Sequence, residues 1–241
     1  KQLMLANLRR LTIGAAILAA LLLLLAGPGT RLGIWAYGTG FLLMRIAFFT
    51  GLGAAALALV LLLVPKTRTM GAASLLLALI LGVGTAYVPW SGVKKARSLP
   101  FIHDITTDTR NPPAFVAVLP LRAGAPNPPE YAGDEVARQQ REGYPDLEPA
   151  MLSVPPAQAF ERALAAARQM GWEIVAAEAA EGRIEATDTT FWFGFKDDVV
   201  IRIEAAGSGS RLDMRSKSRV GRSDVGANAE RIRRYLQLLR E

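Results

Sequence analysis

Apolar residues run in three long blocks through the first ninety positions, and after position 150 the pattern becomes one of alternation. The blocks at about 11–26, 40–64 and 70–88 approach or exceed the ~20 helical residues that cross a bilayer. The first follows Arg9-Arg10 and precedes Gly27-Pro28-Gly29. A retained anchor and a secretory signal share that pattern, and the two further spans directly behind it favour the anchor. Trp35 and Tyr37 precede the second block as an interfacial aromatic pair. Arg45, near that end, reads as a side chain snorkelling to the headgroups, with a paired intramembrane charge as the alternative. Only Pro65-Lys66-Thr67-Arg68-Thr69 separates the second block from the third, which predicts an antiparallel helical pair. Ala78, Gly82 and Ala86 recur every four positions and offer one small-residue face for close helix packing. Pro89 and Trp90 are expected to end the third span.

From 91 to 150 the prolines of Asn111-Pro112-Pro113 and Ala125-Pro126-Asn127-Pro128-Pro129 predict an extended connector, relieved by one short strand at Val116-Ala117-Val118-Leu119. From 151 to 241 a compact domain is expected. A helix over 157–170 carries Phe160, Leu164 and Ala167 on one face. Strand signals follow at 172–176, 182–188, 198–205 and 211–219. In the last two, Val199, Ile201 and Ile203 alternate with Arg202 and Glu204, and Leu212 and Met214 with Arg211, Asp213 and Arg215. That is the period of a half-buried antiparallel pair. A last helix over 224–240 is buried through Ile232, Tyr235, Leu236 and Leu239. The expected fold class is α+β: a three-helix transmembrane region at 1–90, the connector, and a small soluble antiparallel sheet packed with two helices.

Charge sharpens the division. The first ninety residues carry seven basic side chains and no carboxylate, and all 21 acids lie after position 100. The 21 basic residues after position 90 balance them, so the formal charge of +7 belongs to the spans. A basic face with stacking aromatics, the mark of a nucleic-acid binder, is missing from the soluble part. Without cysteine, disulfides and thiolate chemistry are excluded, and His103 as the single histidine excludes a multi-histidine metal centre. No cofactor, bound metal or catalytic residue is expected. Flanking charges leave orientation balanced: Lys1, Arg9, Arg10, Lys66 and Arg68 on one side, Arg31, Arg45, Lys94, Lys95 and Arg97 on the other. The usual dominance of the first helix puts the N-terminus inside and the soluble domain outside the cytoplasm, in the periplasm of a bacterium or a plastid lumen.

Three segments are candidates for chemistry. Phe191, Trp192, Phe193 and Phe195 lie between two strands, too apolar for a hairpin tip facing water. They cap a core, enter the bilayer surface or meet a partner. Asp188, Asp197 and Asp198 nearby would suit a hard cation, but turn chemistry and pairing with Lys196 or Arg202 is the preferred reading. Arg215, Arg219 and Arg222 precede the last helix as an anion site or as a structural cluster, with Asp213, Asp224 and Asp188 as its internal partners. His103, Asp104 and Asp108 form a polar loop read as a hydrogen-bond network.

The segments 102–108, 112–115, 186–198, 213–224 and Gly226-Ala227-Asn228 together resemble the domain-of-unknown-function 1499 family over about 99–240. That resemblance implies a membrane-anchored member and brings no established activity. The expected function is an integral membrane protein, an accessory or assembly subunit whose soluble domain docks on a membrane protein complex. Its partners would be membrane lipids and other membrane subunits. The alternative is a module binding anionic lipid or a small ligand at the membrane surface, and a hydrolase using Asp188, Asp197 or Asp198 with a cation stands third.

Overall fold

The computed structural model describes residues 2–240; Lys1, counted above among the basic flanks, lies outside them. The chain forms two units, residues 1–95 with 191–194, and residues 96–190 with 195–241.

The first unit is built from α1 (Gln2–Arg31), α2 (Tyr37–Leu63), the short α3 (Pro65–Thr69) and α4 (Ala72–Arg97). Of these, α1, α2 and α4 are long and apolar enough to cross a membrane, which indicates membrane association. Two of the helices outrun their expected ends. Gly27-Pro28-Gly29 does not close α1, and Pro89 does not close α4. A proline lacks the N–H that would bond the carbonyl four residues back, Leu24 for Pro28 and Thr85 for Pro89, and an apolar span tolerates that loss. The Thr30 hydroxyl and the Trp35 indole N–H both donate to the Ala26 carbonyl at 3.2 Å, and the Ser91 hydroxyl donates to Val88 O at 2.9 Å. Past Pro89, α4 carries Lys94, whose ammonium lies 5.4 Å from the Trp90 ring. The segment expected as a polar turn is the short helix α3, where the Thr67 hydroxyl is buried and donates to Val64 O and Leu61 O. The face with Ala78, Gly82 and Ala86 is buried, as its spacing predicts. A Cβ on Gly82 would come within 2.5 Å of the Gly51 carbonyl, so only glycine permits this approach of α2 and α4.

In the second unit all strands are antiparallel: β1 (Asp104–Thr106), β2 (Ala150–Leu152), β3 (Glu173–Glu178), β4 (Arg183–Thr189), β5 (Lys196–Ala206) and β6 (Gly209–Ser218). The order is β1-β6-β5-β4-β3, and β2 shares the β6 edge with β1. β1 pairs with Arg215–Lys217 and β2 with Ser210–Leu212. Helices α6 (Pro156–Gln169) and α7 (Ala227–Leu238) pack on one face, and α5 (Asp134–Gly143) lies in the segment between β1 and β2. The helix-covered core holds Ile184, Val199, Ile201, Leu212 and Met214 against Phe160, Leu164, Ile232 and Tyr235. Trp172 stacks on Tyr235 at 5.2 Å, and the Tyr235 hydroxyl donates to Ala163 O at 2.9 Å.

Two expectations need correction. Residues 91–150 are not a mere connector, because they supply the end of α4, β1, α5 and the first residue of β2. The alternating strands are also not half-solvated. Glu185, Asp198, Asp213, Arg215 and Lys217, on the polar phase, are buried. The segment around 113–131 crosses that face as a strap, seating Phe115 and Val118 on Val200. A charged β face stays buried only where each charge is paired, which is why the strap carries Arg122 inward.

Candidate functional site

Parts of two of the sequence segments singled out for chemistry, and the aspartates beside the third, meet around the last half of β6, one set on each face of the sheet. On the strap-covered face, Asp104 of β1 receives two hydrogen bonds from Arg215, each at 2.8 Å, and the Lys217 ammonium lies 2.9 Å from the same carboxylate. Lys217 also donates to Glu130 O at 2.6 Å. Arg215 is sandwiched by aromatics, 4.8 Å from the Phe115 ring and 5.5 Å from that of Tyr131. Next to this group, Asp198 accepts from Arg122 at 2.6 Å, from Arg219 at 2.7 Å and from the Thr187 hydroxyl at 2.8 Å. Burial alone would raise the Asp198 pKa, but the bonds from Arg219, Thr187 and Arg122 outweigh it and hold the carboxyl below its ordinary range. For Lys217 burial wins over Asp104, and the ammonium pKa is lowered.

On the helix-covered face, Arg231 of α7 bridges Asp188 at 2.7 Å and Asp197 at 2.6 Å and donates to the Ser216 hydroxyl at 3.1 Å. Asn228 ties the same corner together, giving one bond to His103 O and one to the Ser218 hydroxyl, each at 3.0 Å. Asp224 accepts the backbone N–H of Gly226 at 2.9 Å and of Asn228 at 2.8 Å, opening α7. Its carboxyl is pushed up by burial, against those two bonds.

These positions show which partners the candidate residues meet. Asp188 and Asp197 face Arg231 while Asp198 points to the opposite side, so the three carboxylates do not converge on a common cation. Their partners are Arg231, Arg122 and Arg219 rather than Lys196 or Arg202. Arg215 and Arg219 are paired internally, but with Asp104 and Asp198. Asp213 instead holds Arg202 at 2.8 Å and Arg211 at 3.0 Å, and Asp108 joins both arginines. Arg222 stands apart, exposed, with its guanidinium 5.4 Å from the Phe101 ring. Of the aromatic cluster, Phe195 stays with the sheet unit, its backbone N–H bonded to the Thr190 hydroxyl at 2.8 Å. Phe191, Trp192 and Phe193 belong to the helical unit. There Phe193 packs 5.1 Å from Phe41 of α2, and a Cβ on Gly27 would overlap the Trp192 ring. Phe191 is 91 % exposed, and its carbonyl accepts from Arg31 at 2.6 Å.

Sequence reading missed Glu185, Arg122 and Arg231. Glu185 is fully buried and accepts the backbone N–H groups of Val116, Ala117 and Val118 at 2.9–3.1 Å, anchoring the strap. The available signal was a strand whose polar phase carries unlike charges with no obvious solvent role.

An accessible cavity of about 220 Å³ lies beside the convergence, lined by Phe101, Ile102, His103, Asp104, Asn127, Ala132, Val136 and Arg222. His103 Nδ1 is 3.4 Å from the Asn127 side-chain nitrogen. Burial first, then Lys217, lowers its pKa, so the ring is neutral at physiological pH.

Apolar helices together with a six-stranded antiparallel sheet carrying a buried ion-pair lattice define a membrane-associated α+β protein. The chain belongs to the family described as "Protein of unknown function (DUF1499)", which matches residues 104–239. That match begins at β1, the first strand of the sheet. No curated protein matches the chain.

Replacing Asp198 by Ala strands Arg122 without its carboxylate and should cost about 3–5 kcal/mol in denaturant unfolding of the full chain. Arg219→Ala leaves the Arg122–Asp198 pair in place and should cost less, about 1–3 kcal/mol. Equal losses would show that the two arginines do not share Asp198 as drawn. The histidine gives a pH signature. Its folded pKa lies below the ordinary 6.5, so the unfolded chain protonates first as pH falls through 6.5, and stability declines from there toward the folded value. Melting temperature should fall over that window, and His103→Gln should flatten the fall.

Proposed function

We propose that the chain is a membrane-anchored accessory or assembly subunit whose folded domain docks on a membrane protein complex. The observation that carries this reading is the outer side of the strap. Val116, Leu119 and Leu121 are 51 %, 42 % and 49 % exposed on a segment held from beneath by Glu185 and by the Arg122–Asp198 pair. Large apolar side chains on a pre-ordered backbone lose little entropy on binding, and exposed apolar patches mark interaction surfaces. The helices supply the setting, and other membrane subunits are the partners. The bacterial inner membrane with a periplasmic domain is the proposed location, supported by Arg9-Arg10 ahead of the first span.

A second reading, a small-ligand module, is favoured by the cavity beside His103 and Arg222. A polar, partly apolar lining of that size suits a compact organic molecule.

The docking reading predicts that Leu119→Ser with Leu121→Ser abolishes co-purification of a partner subunit in mild detergent and leaves the melting temperature within about 4 °C, since two surface changes of this kind together cost under about 1 kcal/mol. A partner retained by the double variant would refute the strap as the docking surface. For location, protease added to spheroplasts should digest the region after residue 95, and digestion only after lysis would reverse the assignment.

A further inference from the structure

Arg45 lies eight positions into α2, roughly 12 Å along the helix axis from Tyr37 at 1.5 Å per residue. Its neighbours on that helix surface are apolar and exposed: Phe41 and Leu42 on one side, Phe49 and Leu52 on the other. The packed face of α2 is a different one, formed by Ala47, Gly51, Ala54 and Ala58. Arg45 therefore projects on the exposed side of α2, away from that packed face. The helical unit offers it no counter-ion, because residues 1–95 and 191–194 contain no aspartate or glutamate. A guanidinium at this depth is costly unless an anion meets it. Beside it runs an open groove of about 520 Å³ lined by Arg45, Ile46, Phe49 and Thr50. The spacing i, i+1, i+4, i+5 aligns the four along one side of the helix. The groove thus has a cationic, hydrogen-bonding head and an apolar floor.

We propose that this groove is a phospholipid site, in which Arg45 binds the phosphate and an acyl chain lies along Ile46 and Phe49. The planar guanidinium matches phosphate oxygens with two parallel hydrogen bonds. Charge complementarity selects lipid as the occupant, since a bilayer places phosphates within reach of a long side chain near a span's end. This site is separate from the strap, and losing either leaves the other intact.

The test uses the full chain in detergent micelles, with native mass spectrometry to count bound lipid and melting to report added ligand. Phosphatidylglycerol, a diacylglycerol with the same acyl chains and inorganic phosphate are the probes. The wild type should retain one phospholipid and melt higher with phosphatidylglycerol but not with the other two. Arg45→Gln should lose that lipid, with binding about tenfold weaker, as expected for one charge-assisted contact. Arg45→Lys should keep part of it. Ile46→Trp, which fills the groove and keeps the charge, should also expel the lipid. Equal lipid retention by wild type and Arg45→Gln would overturn the proposal. So would an equal melting shift with diacylglycerol or with inorganic phosphate. Loss of a co-purifying polypeptide from Arg45→Gln with lipid unchanged would assign the counter-ion to a partner's carboxylate and overturn it as well.

Discussion

A sheet that buries charge on one of its faces must neutralise each charge in place, and the architecture of the second unit follows from that constraint. Asp198 and Asp104 are the two centres. Each is removed from water and held by two basic side chains: Arg122 of the strap and Arg219 for Asp198, and Arg215 and Lys217 of β6 for Asp104. An uncompensated carboxylate there would cost several kcal/mol. The strap must therefore close over the sheet to deliver Arg122, and β1 must pair with β6 to deliver Asp104. The same need explains why a segment so rich in proline is ordered: its backbone donors are taken by Glu185 rather than by another strand.

The helix-covered half of this domain was legible in the sequence because hydrophobic periodicity reports one face well. Val199, Ile201 and Ile203 and the face of α7 with Ile232 and Tyr235 are where alternation and helical spacing put them. The strap-covered half was not legible. Its polar phase looks the same whether water or a protein strap covers it, and proline-rich sequence reads as connector in either case. Clustered arginines announced that pairing was needed. They could not announce which carboxylate would arrive, since Asp104 and Arg215 meet across 111 positions of sequence.

In the helical unit, composition gave the spans and missed their ends. Pro89 is read by rule as a terminator, but a helix in an apolar setting gains by keeping its backbone bonded, and α1 and α4 run on past Pro28 and Pro89 at the loss of one hydrogen bond each. Two glycines act as sockets. Gly27 admits Trp192, and Gly40 lies under Phe193. The aromatic run, for which the sequence leaves core capping, the bilayer surface and a partner all open, is divided among three surroundings: helix-packed, sheet-associated and exposed.

Pairing of β1 with β6 also orders events during synthesis. When Asp104 leaves the ribosome, Arg215 and Lys217 do not yet exist, and the strap likewise precedes Asp198, its own anchor point. Contacts of such long sequence separation form late and slowly. Before β6 is made, β5 is an open edge and Asp104 and Arg122 remain in water. Closure of the sheet is thus coupled to the synthesis of β6, the last of its strands in chain order.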